Sequence, residues 1–322
     1  PPPPPPPPPP LFHHPPPTET YTERNSSAAS DVYKRQQLQR PQENTMSTAA
    51  TRFVADLRPP KLRHSISELG RVALEAGTSA LCKGIFKTLP DGDGNSVMTI
   101  PGFMGADGST AMLRSFLNDR GYRAIPWGLG RNASEARANT MEDFMGHRAQ
   151  VEDKIAARIE LEYQATGRKL TLIGWSLGGL YAVALAHRYP QWVRQVITLG
   201  TPFGDPRGTA LYSVMARMNQ RSPGEESEEA LQQWVDYTYG GGELRVPILT
   251  LFSESDGIVG KGIARCEADP KYVTNMAVMA SHVGFPFNPV VFAVIANHLV
   301  SPDRRWRICQ SERIGALARI DS

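Results

Sequence analysis

"LTLIGWSLGGLYAVAL", residues 170–185, decides how this chain is read. A short apolar run, Leu170 to Ile173, stops at a glycine. Ser176 then stands between Gly174 and Gly178, and a helix-forming stretch follows at once. The five residues Gly174-Trp175-Ser176-Leu177-Gly178 fit a sharp turn from strand to helix, with a nucleophile on the strained corner. The flanking glycines remove side chains where strand and helix nearly touch. Such a corner lifts the hydroxyl above the sheet and leaves the Leu177 N–H at a helix start, free to face an anion. Gly179 reads as the position that lets the helix approach the sheet. The pattern alone is a weak signal, and a glycine-rich turn with an incidental serine is the alternative. The strand before it and the helix after it make it specific.

Working outward, a rhythm appears on both sides. A buried strand is expected at 96–100 "SVMTI", and further strands at 122–127 "YRAIPW", 169–175 "KLTLIGW", 193–200 "VRQVITLG", 246–253 "VPILTLFS" and 272–279 "YVTNMAVM". Helical patterns at 109–119, 140–165, 178–188 and 287–300 separate or follow them. Short apolar strands alternating with helices imply an α/β fold with a mostly parallel sheet covered on both faces. In such sheets ligands bind beyond the carboxyl ends of the strands. Residues 204–243 break the rhythm with two helical patterns, near 208–220 and 226–238, and read as an inserted cap. Residues 65–87 carry apolar residues at 66, 69, 73, 76 and 80. That amphipathic helix is expected to pack its apolar stripe on the domain, with peripheral membrane contact the lesser alternative.

Composition bounds the rest. Residues 1–10 are all proline, and "SSAASDVYKRQ" (26–36) looks like translated adaptor sequence, so residues 1–45 are expected to be disordered and are set aside. Met46 is the expected start, with an N-terminal helical extension over 46–94 and the main domain over 95–322. Thirty-five basic against 32 acidic residues give +3, without a basic block, so nucleic acid is not an expected partner. Cys82, Cys266 and Cys309 make neither a disulfide framework nor a zinc pattern. No run of about 18 apolar residues predicts a membrane span, and no secretory signal follows Met46, so a reducing cytoplasm is the default.

A serine hydroxyl needs a base within hydrogen-bond reach. Of the seven histidines, His13 and His14 lie in the tail. His64 precedes the rhythm, and His147, His187 and His298 fall on helices. His282, in "MASHVGF", directly follows the last expected strand and is the candidate base; a loop histidine satisfying local backbone is the alternative. The orienting acid is sought between serine and histidine. Asp256 in "SESDGIV" follows the strand at 246–253, although Asp-Gly is also a plain turn signal. Glu254 competes with it, and Asp205 and Asp236, in the expected cap, are poorer candidates. "IPGFMG" (100–105) follows the first expected strand and can supply a second oxyanion N–H, Phe103 first and Met104 second. Met104, Trp127 and Trp175 are the candidates for contact with substrate, with packing beneath the nucleophile the alternative for Trp175. The cap residues Leu211, Tyr212, Met215, Met218, Trp234 and Tyr237 either pack the cap onto the domain or roof an acyl pocket.

"PGFMGADGST", "WGLGRN", "LIGWSLGGLYA", "VITLGTPF", "SESDGIV" and "SHVGFPFNP" together resemble the α/β-hydrolase-fold esterases and lipases, in a bacterial lipase-like branch. The resemblance covers about residues 95–300. It implies Ser176 as nucleophile, Asp256 as acid, His282 as base, and Phe103 with Leu177 as oxyanion donors. Many lipases carry His-Gly before the first donor, where this chain has Pro101-Gly102, so a substrate preference tied to that histidine does not carry over. The implied activity is hydrolysis of a small acyl ester or lipid-like substrate without metal or cofactor. Acyl transfer or thioester hydrolysis on the same triad is the rival, and a catalytically silent ligand-binding protein is the non-enzyme alternative.

Overall fold

The computed structural model describes residues 60, 62–133, 141–210, 212, 227–239, 244–300 and 318–320. The tail of residues 1–45, and Leu211, Met215 and Met218 of the expected cap, lie outside the described residues. Two helices open the described chain, α1 (Leu62–Leu81) and the short α2 (Lys83–Phe86). The alternating body follows: β1 (Ser96–Ile100), α3 (Ala111–Asp119), β2 (Arg123–Pro126), α4 (Met141–Thr166), β3 (Leu170–Trp175), α5 (Leu177–Arg188) and β4 (Val193–Leu199). After an insertion that contains α6 (Glu228–Thr238) come β5 (Ile248–Phe252), β6 (Val273–Val278), α7 (Pro289–Leu299) and β7 (Ala318–Ile320).

The strands form one sheet in the order β2-β1-β3-β4-β5-β6-β7. All neighbours are parallel except β6 and β7, which run antiparallel. β1, β3 and β5 are buried at every position, as strands sandwiched between helix layers must be. Alternate residues serve the two layers. Met98 and Leu172 face one core with Ile155 of α4 and Leu180 of α5. Val97 and Ile173 face the other with Leu117 of α3 and Phe292 of α7. The chain runs outward from β1 to β2 and then returns to β3 on the other side of β1. The carboxyl ends of β1 and β3 therefore flank the switch point, where a crevice opens in sheets of this kind.

β7 is absent from the sequence reading because three residues give no periodicity. It lies beside β6, so the last expected strand is not the edge. In the insertion, Ser227 caps α6 by accepting from Ala230 N at 3.2 Å. Leu231, Trp234 and Val235 then bury its inner face. Trp234 packs against Phe144 of α4 at 5.3 Å between ring centroids, and the Arg148 guanidinium lies 4.8 Å from the Trp234 ring centre. The Tyr237 hydroxyl donates to Glu152 Oε2 at 2.9 Å. Both aromatic residues thus join the cap to the domain. Burial pushes the Glu152 carboxyl above its ordinary range, and Arg148, 2.9 Å from it, opposes the shift. The paired and hydrogen-bonded carboxylate is how a buried charge is tolerated.

α1 reverses its expected orientation. Ile66, Ala73 and Ala80 of the apolar stripe face solvent, and Leu74 is 70% exposed. The row that faces the protein is polar: Ser65, Glu68, Glu75 and Ser79, helped by Arg71. Ser65 Oγ donates to Gly257 O at 2.5 Å, Arg71 to Ser255 O at 2.5 Å, and Ser79 Oγ to Phe287 O at 2.5 Å. The reason is chemical. The helix lies on loops whose backbone groups need partners, and a carboxylate or hydroxyl satisfies them where alanine and isoleucine cannot. Among the described residues, no helix is long and apolar enough to cross a membrane.

Candidate active site

The corner between β3 and α5 has the conformation its sequence requires. Ser176 sits at φ 52° and ψ −121°, a region that side chains other than glycine rarely enter. A methyl group at Gly174 would overlap the Gly178 carbonyl oxygen. One at Gly178 would overlap Ile100 O and lie 2.7 Å from Pro101 O. Only glycines therefore let α5 start this close to the ends of β1 and β3. The corner is fixed by its own backbone: Ser176 N donates to Leu199 O at 2.8 Å, and Thr201 Oγ1 donates to Ser176 O at 3.1 Å.

Two loops from distant strands meet at that hydroxyl. His282 Nε2 lies 3.0 Å from Ser176 Oγ, and His282 Nδ1 lies 2.8 Å from Asp256 Oδ2. Asp256 follows β5 and His282 follows β6, so both arrive from carboxyl ends of the sheet. Asp256 and His282 are buried. The other Asp256 oxygen accepts from the N–H groups of Ile258 and Val259, both at 2.8 Å. A carboxylate at Nδ1 accepts a hydrogen bond from the Nδ1–H, which keeps the proton on that nitrogen and leaves the Nε2 lone pair facing the serine. Trp175 Nε1 donates to His282 O at 3.0 Å and so steadies the histidine backbone.

The competing groups are engaged elsewhere or turned away. Glu254 is exposed. Asp205 accepts from Arg207 N at 2.8 Å and pairs with its guanidinium at 2.6 Å. Asp236 accepts from Gln232 Nε2 at 2.9 Å. His187 and His298 have ring nitrogens without hydrogen-bond partners among the described residues, and burial lowers both their pKa values, His298 to about 4.

The loop after β1 lies against the corner: a methyl group at Gly102 would be 3.0 Å from Ser176 Cβ. Met104 N–H is engaged, donating to Asn132 O at 2.8 Å. The N–H groups of Phe103 and of Leu177, the first residue of α5, have no backbone acceptor among the described residues. Helix starts leave such N–H groups open. Of the three side chains expected at the substrate, Met104 is 40% exposed at φ 60°. Trp127 is buried in the core, and its Nε1 donates to Gly130 O at 3.1 Å. Trp175 is also buried, with its ring centroid 6.1 Å from that of His282.

Sequence reasoning passed over two residues. Asn132, the last residue of "WGLGRN", is buried and holds the loop after β1 from both sides. Its Nδ2 donates to Pro101 O and its backbone N–H to Gly105 O, both at 2.7 Å, and Tyr181 Oη donates to its Oδ1 at 3.3 Å. Its only signal was a place beyond a strand end, shared with its neighbours. Glu68 of α1 is the second; its carboxylate reaches the loops after both β5 and β6. Nothing in its sequence context marks it. Among the described residues, no group of three or more His, Cys, Asp or Glu side chains is placed to hold a metal ion.

No protein-family model matches the sequence, and no curated protein matches it. Solved structures similar to it include proteins named as lipases and esterases. Bacillus licheniformis lipase BlEst2 in mature form is 20% identical with a TM-score of 0.46, over 66% of this chain and 94% of that one. The monoacylglycerol lipase of Paleococcus ferrophilus is 20% identical with a TM-score of 0.43, over 66% and 96%. A structure from work on the metagenome-derived lipolytic enzymes LipS and LipT is 16% identical with a TM-score of 0.44, over 67% and 96%. By its own strand order, its sharp corner after β3 and its loops after β1, β5 and β6, the chain has the α/β-hydrolase fold.

Proposed function

We propose that this protein is a serine hydrolase that cleaves carboxylic esters through an acyl-enzyme. The observation that carries the reading is the continuous chain from Asp256 Oδ2 through His282 to Ser176 Oγ, at 2.8 and 3.0 Å. His282 takes the Ser176 proton as the oxygen attacks the ester carbonyl. The developing oxyanion is held by the N–H groups of Phe103 and Leu177; losing one such donor typically costs about 3–4 kcal/mol of transition-state stabilisation. His282 then returns the proton to the leaving alcohol. Water enters by the same route and releases the acid. Asp256 holds the histidine tautomer and stabilises the imidazolium. Met104, exposed beside the proposed oxyanion donor Phe103, supports an apolar, acyl-type substrate.

The test joins a label to a rate. A fluorophosphonate is expected to modify Ser176 in the wild type and nothing in S176A. Across p-nitrophenyl esters from acetate to palmitate, S176A is expected to lose at least about 10⁴-fold in kcat. A folded wild type that resists the label, or an S176A variant that hydrolyses as fast as wild type, overturns the reading. Adding an alcohol that competes with water separates hydrolysis from acyl transfer by product analysis.

A further inference from the structure

Two loops must keep one geometry for the triad to work, and they belong to different strands. The Asp256 loop follows β5 and the His282 loop follows β6, and between residues 253 and 283 one acceptor outside both loops bonds to the two of them. Glu68 Oε1 accepts from Gly257 N at 2.9 Å and from His282 N at 3.1 Å, and Glu68 Oε2 accepts from Val283 N at 3.1 Å. The three donors are the residue after the acid, the base itself and the residue after the base. Glu68 is buried, and Arg71 Nη1 lies 4.0 Å from its Oε1 as a counter-charge. Two turns further along α1, Glu75 Oε1 accepts from Ser281 N at 2.7 Å and its Oε2 from Ser281 Oγ at 2.6 Å. Hydrogen bonds from N–H groups to a buried carboxylate are stronger than neutral ones and hold direction.

We propose that Glu68 is a positioning residue of the hydrolytic site: it clamps the backbone of the acid loop and of the base loop to one rigid helix, so that the imidazole is held at bonding distance from both Asp256 and Ser176. The inference rests on the hydrolase reading above. It explains why α1 turns a polar face inward. Without the carboxylate, the N–H groups of Gly257, His282 and Val283 lose a shared acceptor, and each loop is free to relax toward its own. A misplacement of about 1 Å at a reacting group can cost about a hundredfold in rate.

The experiment compares E68A, E68Q and S79A in the full chain. Ser79 belongs to the same helix and bonds to Phe287 O, five residues beyond His282 in the β6–α7 connection and apart from the three N–H groups that Glu68 holds, so S79A weakens helix docking without touching the clamp. Competent sites are counted by fluorophosphonate titration, and kcat and KM are expressed per titrated site, so that partial unfolding lowers the count and not the rate. E68A is expected to lose about tenfold or more in kcat per site with KM near wild type. E68Q keeps one oxygen for the donors and is expected to fall between E68A and wild type. S79A is expected to lower thermal stability and keep wild-type kcat per site. Wild-type kcat per site in E68A overturns the proposal, as does an equal loss per site in S79A. Should E68A give no titratable sites, E68Q decides: wild-type kcat per site there overturns it. A wild type that neither labels nor turns over speaks against the hydrolase reading instead.

Discussion

At the scale of single residues, Ser176 is held in backbone that its side chain disfavours. Its φ of 52° with ψ of −121° stores strain, typically about 1–3 kcal/mol at such positions. Glycine relieves the strain and alanine does not. S176G is therefore expected to abolish hydrolysis and raise the free energy of unfolding by about 1 kcal/mol over S176A, measured by urea denaturation. Ser176, Asp256 and His282 were legible in the sequence because each directly follows an apolar run that becomes a strand, and the carboxyl ends of parallel strands share one rim. Asp256 was preferred to Glu254 in the sequence although both stand in the same loop; in the structure Asp256 is buried on two backbone donors and Glu254 is exposed. Asn132 and Glu68 were not legible. Most of their partners are main-chain groups brought near by folding, and main-chain groups leave no mark in a sequence.

At the scale of elements, the helix after the corner is set by clearance. Gly178 meets the carbonyls of Ile100 and Pro101, which belong to the end of β1 and the loop beyond it. G178A is expected to push α5 from the sheet, destabilise the protein by about 1–3 kcal/mol or more, and lower kcat as the loop carrying Phe103 shifts. Urea unfolding and ester turnover measured on one preparation check both effects. The buried strands were readable to within a residue or two, because strands covered on both faces need unbroken apolar runs. The face of α1 was misread because its apolar stripe is made largely of alanine, which gains little on burial. Three carboxylate- and hydroxyl-bearing turns outweighed it by satisfying backbone groups of the loops beneath.

At the scale of the whole molecule, acid is expected to weaken the fold before it reaches most carboxylates. Burial lowers His298 to about 4, against about 6.5 for an unperturbed histidine. Between those values the unfolded chain binds a proton that the native protein refuses, so this contribution is whole above about pH 6.5 and declines as pH falls toward 4. The total is on the order of 3 kcal/mol. His187, also lowered by burial, acts in the same direction. Urea midpoints for wild type are expected to drop from pH 7 to pH 4.5, and those for H298Q to drop less; parallel slopes would remove the assignment to His298. The long reach of α1 also has a consequence for the order in which the chain assembles. Glu68 waits through 189 residues for Gly257 and 214 for His282. Contacts so distant close late, after the nearer strands have paired. A newly made chain therefore gains secondary structure and a hydrophobic interior well before α1 can dock, and the final alignment of Asp256, His282 and Ser176 arrives at the end of folding.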